Sequence, residues 1–213
     1  QVDAAGNTGT AATVSWTVDT IAPSAPTVSS DRTGTVNQTT ASITYAAAEG
    51  GGTMECALDG GSYATCGASP VALSSLTDGN HSYSVRQVDT AGNTGAVTSV
   101  AWVVDTVVPP VPTVTRSSPT ATPTNQTTAQ IAFSANEAGG TLECALDGGA
   151  YATCGASPAN LSGLTDGPHS YAVRQVDGVG NIGSVTSVAW VVDTIAPAAP
   201  TVTRTSPVAT PTN

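Results

Sequence analysis

The residues best suited to covalent chemistry are four cysteines, which form two pairs with the same spacing. Cys56 and Cys66 are ten positions apart, and so are Cys144 and Cys154. An Asp-Gly-Gly turn sequence lies between the members of each pair, so a hairpin would bring them almost opposite each other, within reach of a disulfide. A metal site is the alternative, but no Cys-x-x-Cys spacing or second cysteine pair accompanies them. We predict two disulfides, which place the protein outside the reducing cytosol.

Two histidines could support acid–base chemistry. His81 and His169 follow Asp78 and Asp166 at equivalent positions, which suggests part of a Ser-His-Asp set. Each histidine, however, comes directly after a tight turn, where a half-exposed side chain would simply cover that turn. No Gly-x-Ser-x-Gly motif accompanies either one. The sequence therefore predicts no catalytic residue and no enzyme activity.

Acidic and amide side chains near turns and strand ends are candidate calcium ligands. The candidates are Asp89, Asn93 and Asp105, followed by Asp177, Asn181 and Asp193. The same pattern occurs earlier at Asp3, Asn7 and Asp19. Their oxygen atoms suit Ca²⁺, but Asp and Asn also cap turns without a metal, and a dense Asp-x-Asp-x-Asp run is absent. Both interpretations stay open, and no other cofactor is predicted. The remaining acids beside the cysteines, Glu55 and Glu143, are expected to be solvated.

These residues recur because the chain is a tandem repeat. Trp16, Trp102 and Trp190 are separated by 86 and 88 positions, and residues 39–110 differ from residues 127–198 at only 20 of 72 positions. A catalytic site is needed once, whereas a stalk gains reach with each added unit. The predicted organisation is the C-terminal strands of a preceding repeat (1–22), two full repeats (23–108 and 109–196), and the N-terminal strand and linker of a following repeat (197–213). We expect the chain to be part of a longer polypeptide.

Within one copy, apolar and polar residues alternate over short stretches and never at helical spacing. In the last strand, Trp102 is in phase with Val100 and Val104, so Trp102 and its equivalent Trp190 are predicted core residues. About seven strands per copy, separated by turns roughly every ten residues, are typical of a two-sheet sandwich. The predicted fold is all-β, with tandem immunoglobulin-like, seven-stranded β-sandwiches in a linear array.

Several motifs of one copy carry a family resemblance. These are residues 55–61 (Glu-Cys-Ala-Leu-Asp-Gly-Gly), Asp78-Gly79, His81-Ser82-Tyr83 and the closing Trp102-x-Val104-Asp105-Thr106. Together they resemble the bacterial immunoglobulin-like repeats of large cell-surface adhesins and biofilm-associated proteins. The resemblance implies an exported, repetitive and non-catalytic protein, and calcium stiffens the joints of some similar arrays. Unlike in antibody domains, both cysteines of a copy lie in one hairpin.

Composition narrows the functional classes further. The formal net charge is −10, the only basic residues are five arginines, and 9% of residues are charged. Such a chain would repel nucleic acid and anionic membrane surfaces, and its longest apolar runs are too short to span a bilayer. We expect a structural segment of an extracellular bacterial surface protein, either an adhesin stalk or a fibre body. Its expected partners are neighbouring repeats, with lateral or head-to-tail self-association in a fibre. The alternatives are a glycan- or protein-binding module and an accessory domain of a secreted enzyme.

Overall fold

The computed structural model describes residues 1–203 and 205. All regular secondary structure in this part of the chain is β-strand, which confirms the all-β prediction. With no helix present there, the described residues contain no helical segment that could cross a membrane. The chain divides into two compact units, Gln1–Val107 and Val108–Asn213.

The first unit contains eight strands in two sheets. The strands are β1 (Thr27–Ser30), β2 (Thr35–Val36), β3 (Ala41–Ala46), β4 (Thr53–Leu58), β5 (Ala64–Thr65), β6 (Val71–Leu73), β7 (Gly79–Val88) and β8 (Thr98–Val104). One sheet has the order β1-β3-β6 and the other β2-β8-β7-β4-β5. Every pairing is antiparallel except that of β2 with β8.

The second unit contains seven strands in two sheets. The strands are β9 (Thr113–Ser118), β10 (Ala129–Ser134), β11 (Thr141–Leu146), β12 (Ala152–Thr153), β13 (Ala159–Leu161), β14 (Gly167–Val176) and β15 (Thr186–Val192). The sheet orders are β13-β10-β9 and β12-β11-β14-β15. Instead of a counterpart of β2 there is a single parallel bridge between Thr124 and Val192. In the first unit the Val103 N–H extends the ladder by donating to the carbonyl oxygen of Gly34, whereas the equivalent Val191 N–H donates to the side-chain hydroxyl of Thr122.

Each unit has one hydrophobic core to which both of its sheets contribute. In the first unit, Ile43 of β3 packs in the same buried cluster as Val85 of β7 and Trp102 of β8, which is 2% exposed. Ile131, Val173 and Trp190 are the matching residues of the second unit. Burying each such side chain stabilises the fold by roughly 1.5–3 kcal/mol. The period-two alternation of the sequence therefore separates the core face from the solvent face.

In the two terminal segments, which the sequence assigned to neighbouring repeats, the described residues form no strand. Over residues 1–22 the only β-pairing is a bridge between Val2 and Thr8, and Trp16 is 79% exposed. Its equivalent, Trp102, lies in a strand that is hydrogen-bonded to β7. The same sequence forms a strand in one place and not in the other because a strand needs a neighbour to bind its N–H and C=O groups. Residues 197–203 also contain no strand, and the rest of the expected 197–213 strand and linker, apart from residue 205, lies outside the described residues.

Candidate functional site at the joint between repeats

The predicted disulfides are both present, and each closes a short hairpin. Cys56 bonds Cys66 and Cys144 bonds Cys154, each with a Cα–Cα distance of 5.2 Å, inside the usual range for a disulfide. β4 and β5 share only two residue pairs. The covalent bond therefore provides much of what holds β5 at the edge of the sheet.

The sequence analysis expected Glu55 to be solvated, but in the structure its carboxylate is paired with an arginine. Arg86 lies directly opposite Glu55 on the neighbouring strand; its Nε donates a hydrogen bond of 2.8 Å to the Glu55 carboxylate, and its guanidinium forms an ion pair with it at 2.7 Å. The Arg86 guanidinium also lies 4.0 Å from the ring centre of Tyr63. The other copy repeats this set with Arg174, Glu143 and Tyr151. A stretch that seemed to be solvent-facing therefore carries a three-residue cross-strand cluster.

His81 is buried, and its carboxylate partner differs from the one the sequence suggested. Its Nδ1 lies 2.8 Å from the carboxylate of Asp59, and its Nε2 lies 2.7 Å from the carbonyl oxygen of Thr77. Asp78 instead accepts hydrogen bonds from the backbone N–H and the hydroxyl of Thr106. The Thr77 carbonyl, and after it Asp59, raise the pKa of His81 above its ordinary value, although burial opposes the shift.

The second copy repeats the histidine geometry. His169 contacts Asp147 at 2.8 Å and the carbonyl oxygen of Thr165 at 2.7 Å, and its pKa is raised in the same way. Both partners are acceptors, so a protonated ring donates from both nitrogens and in that form has no lone pair for a general base. In both copies this chemistry fastens a turn to a strand, which is a structural role.

A buried glutamine, which the sequence analysis missed, fastens another loop. The Gln87 side chain accepts a hydrogen bond from the N–H of Ala48 at 3.0 Å, and it donates to the carbonyl oxygens of Glu49 and Gly51 at 2.9 and 3.0 Å. The sequence did contain a sign of this burial. Gln87 lies two positions after the core residue Val85 and therefore on the same, inward face of β7. The equivalent Gln175 donates from its amide to the carbonyl oxygen of the second copy's matching glutamate at 2.7 Å.

The loop over residues 87–95, called the joint loop here, is closed by its own side chains. The Asp89 carboxylate accepts hydrogen bonds from the backbone N–H of Ala91 and of Asn93 and from the Asn93 side-chain amide, at 2.8–2.9 Å. The amide of Asn93 contributes most to lowering the pKa of Asp89 below its ordinary value. Gly92 has a φ of 93°, a conformation that favours glycine.

The joint loop contacts residues 19–26, called the connecting segment here. The Asn93 side-chain amide donates to the backbone carbonyl oxygen of Asp19 at 3.1 Å. An ideal Cβ on Gly95 would lie 2.6 Å from the carbonyl oxygen of Pro23, so the two backbones approach more closely than any residue other than glycine allows. The joint loop thus contacts the connecting segment at two points, the carbonyl oxygens of Asp19 and Pro23.

The structure brings only part of each predicted calcium set together. Asp89 contacts Asn93, and Asp177 contacts Asn181 in the same way. Asp105, in contrast, follows the end of β8 that pairs with the start of β7, whereas Asp89 follows the other end of β7. A ten-residue strand separates them by about 30 Å.

The calcium candidates Asp177 and Asn181 are separated from their third predicted partner in the same way. Asp193 follows β15 at the end that pairs with the start of β14, opposite the end that leads to Asp177. Among the described residues, no group of three or more His, Cys, Asp or Glu could hold a metal. Calcium binding stays a prediction, and at Asp89 it would require the ion to replace three N–H donors.

Comparison with known proteins assigns no family. No protein-family model matches the chain, and no curated protein matches it. Among solved structures, the chain is similar to the fibronectin(III)-like modules of Clostridium thermocellum CbhA, with 16% sequence identity and a TM-score of 0.41. That match covers 78% of this chain and 93% of the other chain. At these values the likeness carries no argument about function.

Proposed function

We propose that the chain is a structural, non-catalytic segment of tandem immunoglobulin-like repeats in an extracellular protein, either the stalk of a bacterial surface adhesin or the body of a fibre. One observation carries the proposal. Two consecutive copies repeat the same stabilising contacts, and the side chains capable of chemistry are used within each copy to hold turns and strands. Both copies have the same disulfide, the same histidine–aspartate pair and the same arginine–glutamate pair.

The disulfides support an extracellular location. Hairpin disulfides of this kind persist in oxidising compartments and are rare in the cytosol. A net charge of −10 spread over 213 residues also favours a well-solvated surface. The expected partners are neighbouring repeats of the same protein.

A binding module is the second candidate, because one groove in the first unit could accept a ligand. The groove has a volume of about 440 Å³, and its lining includes Asn80, Ser82, Ala101 and Val103. Glycan recognition usually needs an exposed aromatic face. The indole that lines this groove, Trp102, is only 2% exposed. A screen against immobilised glycans that yields saturable binding at this groove would favour this second role.

Single-molecule stretching of the intact chain tests the structural proposal. A spacer of independent units should unfold in two discrete events. Each disulfide locks a stretch of ten positions that adds about 35 Å to the released length only after reduction. Adding a reductant should therefore lengthen both events by this amount, while a chain with both pairs changed from Cys to Ala serves as the control. Extension without discrete events would contradict a mechanical role.

A further inference from the structure

We propose that the joint loop is a docking site for the end of the preceding repeat, which it recognises by a main-chain carbonyl and a proline rather than by side chains particular to that repeat. The inference rests on the proposed function only in treating the copies as links of one array. It assigns to Asn93 and Gly95 a role in joining repeats that their own repeat does not need for its core.

The hydrogen bonds of the joint loop prepare it for docking. One hydrogen of the Asn93 amide goes to Asp89 and leaves the other for the carbonyl oxygen of Asp19. Residues 1–9 form the same loop with Asp3 and Asn7, at distances of 2.9–3.0 Å, although no sheet surrounds them. The loop geometry therefore follows from its own sequence, and a loop that is already ordered loses little entropy on binding.

The close approach at glycine occurs in both units. An ideal Cβ would lie 2.6 Å from the Pro23 carbonyl oxygen at Gly95, and 2.6 Å from the Pro109 carbonyl oxygen at Gly183. Neither glycine has a positive φ, so the backbone conformation does not demand glycine at these positions. The requirement comes from the proline segment that lies against the loop.

The prolines of the connecting segment, and those at the equivalent positions of the next copy, are buried where a joint loop follows them. Buried prolines are Pro23, Pro26, Pro109 and Pro112, whereas the equivalent Pro197 and Pro200 are exposed. Of the four buried prolines, Pro23 and Pro109 are those whose carbonyl oxygens lie against Gly95 and Gly183.

The residues that follow the last strand of a copy are fixed to that same copy. Thr106 donates to Asp78 at 2.7 and 2.9 Å, and Thr194 donates to Asp166 at 2.8 Å from both its N–H and its hydroxyl. All three segments read Asp-Thr-x-x-Pro, and they vary between Ile and Val or between Ala and Val at the x positions. Variation at those positions fits recognition of the main chain and the proline ring, so any repeat with this ending should fit any joint loop.

Thermolysin cleavage of the intact chain, mapped by mass spectrometry, tests the docking site. The bond before Ile21 lies in the connecting segment, and the bond before Val14, in the exposed stretch upstream, is the internal reference. The ratio measured is the cleavage rate before Ile21 divided by that before Val14. Asn93→Ala and Gly95→Ala should each raise this ratio about two- to tenfold, the effect that corresponds to the loss of one hydrogen bond or of one close contact. The double change Thr90→Gly with Ala91→Val gives these two loop positions the second copy's residues and should leave the ratio unchanged.

An unchanged ratio in both variants, with melting curves like that of the control, would overturn the docking site. If these variants do not fold, Gly183→Ala compared with Gly178→Ala answers the same question through hydrogen exchange of the Val111 amide beside Pro109, because an added Cβ meets no atom within 4 Å at Gly178. Failure of the proposed function can be distinguished from failure of the docking site, because the two are measured by different experiments. Stretching without discrete unfolding events would refute the spacer role and leave the cleavage ratios as they are.

Discussion

The disulfide of the first copy offers the sharpest test of how these small units remain folded. The perturbation is the double change Cys56→Ala with Cys66→Ala, with the Cys144–Cys154 bond of the second copy kept intact. Alanine avoids placing a new hydroxyl at position 56, where the cysteine is buried.

The expected loss can be worked out from the closed ring. With a sequence separation of 10, the loop-entropy relation gives about 2.8 kcal/mol at 25 °C. β5 has little else to hold it, since its ladder consists of two residue pairs and a hydrogen bond from the Cys66 N–H to the Met54 carbonyl oxygen. For a unit of this size, that loss corresponds to a decrease in melting temperature of roughly 11–22 °C.

Calorimetry of the full chain provides the assay and its control together. The transition of the first unit should move to lower temperature, while that of the second unit, with its own disulfide, should stay in place. Reducing both disulfides of the unmodified chain should move both transitions to lower temperature. A loss below about 1 kcal/mol in the first unit would refute the reasoning, because it would show that the reduced hairpin is held equally well by its ladder and core contacts.

Three other changes probe the core, the histidines and the cross-strand cluster. Trp102→Ala should cost about 3–5 kcal/mol in chemical denaturation, because the indole is fully buried, and a loss below about 1 kcal/mol would mean that the ring adds little to the core. Because the folded pKa of both histidines lies above the ordinary 6.5, their stabilisation is complete below pH 6.5 and is lost as pH rises through the folded pKa. His81→Gln with His169→Gln should flatten this decline in melting temperature, and an unaltered decline would contradict the assignment. Glu55→Gln should cost at most about 1 kcal/mol, with the loss shrinking in high salt, because Glu55 and Arg86 are both partly exposed; a larger, salt-independent loss would indicate a buried ion pair.

The amino-acid sequence by itself determined the features that depend on local pattern. Alternation with period two identified the strands and placed Trp102 and Trp190 on the inward face, where they are buried. The ten-residue cysteine spacing across a turn predicted both disulfides, which the structure contains. These features could be read because the two faces of a strand and the two arms of a hairpin follow from nearest neighbours along the chain.

Only the tertiary structure decided which distant residues meet. The sequence suggested Asp78 as the partner of His81 because it is three positions away. The register that pairs Leu58 with Tyr83 brings Asp59 beside His81 instead. The length of β7 likewise separates Asp89 from Asp105, two of the calcium candidates. Strand pairing sets contacts between residues far apart in the sequence, and the side-chain pattern of one strand carries no record of its neighbour's register.

The joint shows the same division between sequence and structure. The recurrence of Asp and Asn at fixed spacing was visible in the sequence and correctly indicated a turn. That the Asn93 amide would reach the carbonyl oxygen of Asp19, 74 positions away, was not visible. The exposed Val14, Trp16 and Val18 match the in-phase residues of β8, yet they form no strand, because a strand exists only where a second backbone accepts and donates its hydrogen bonds.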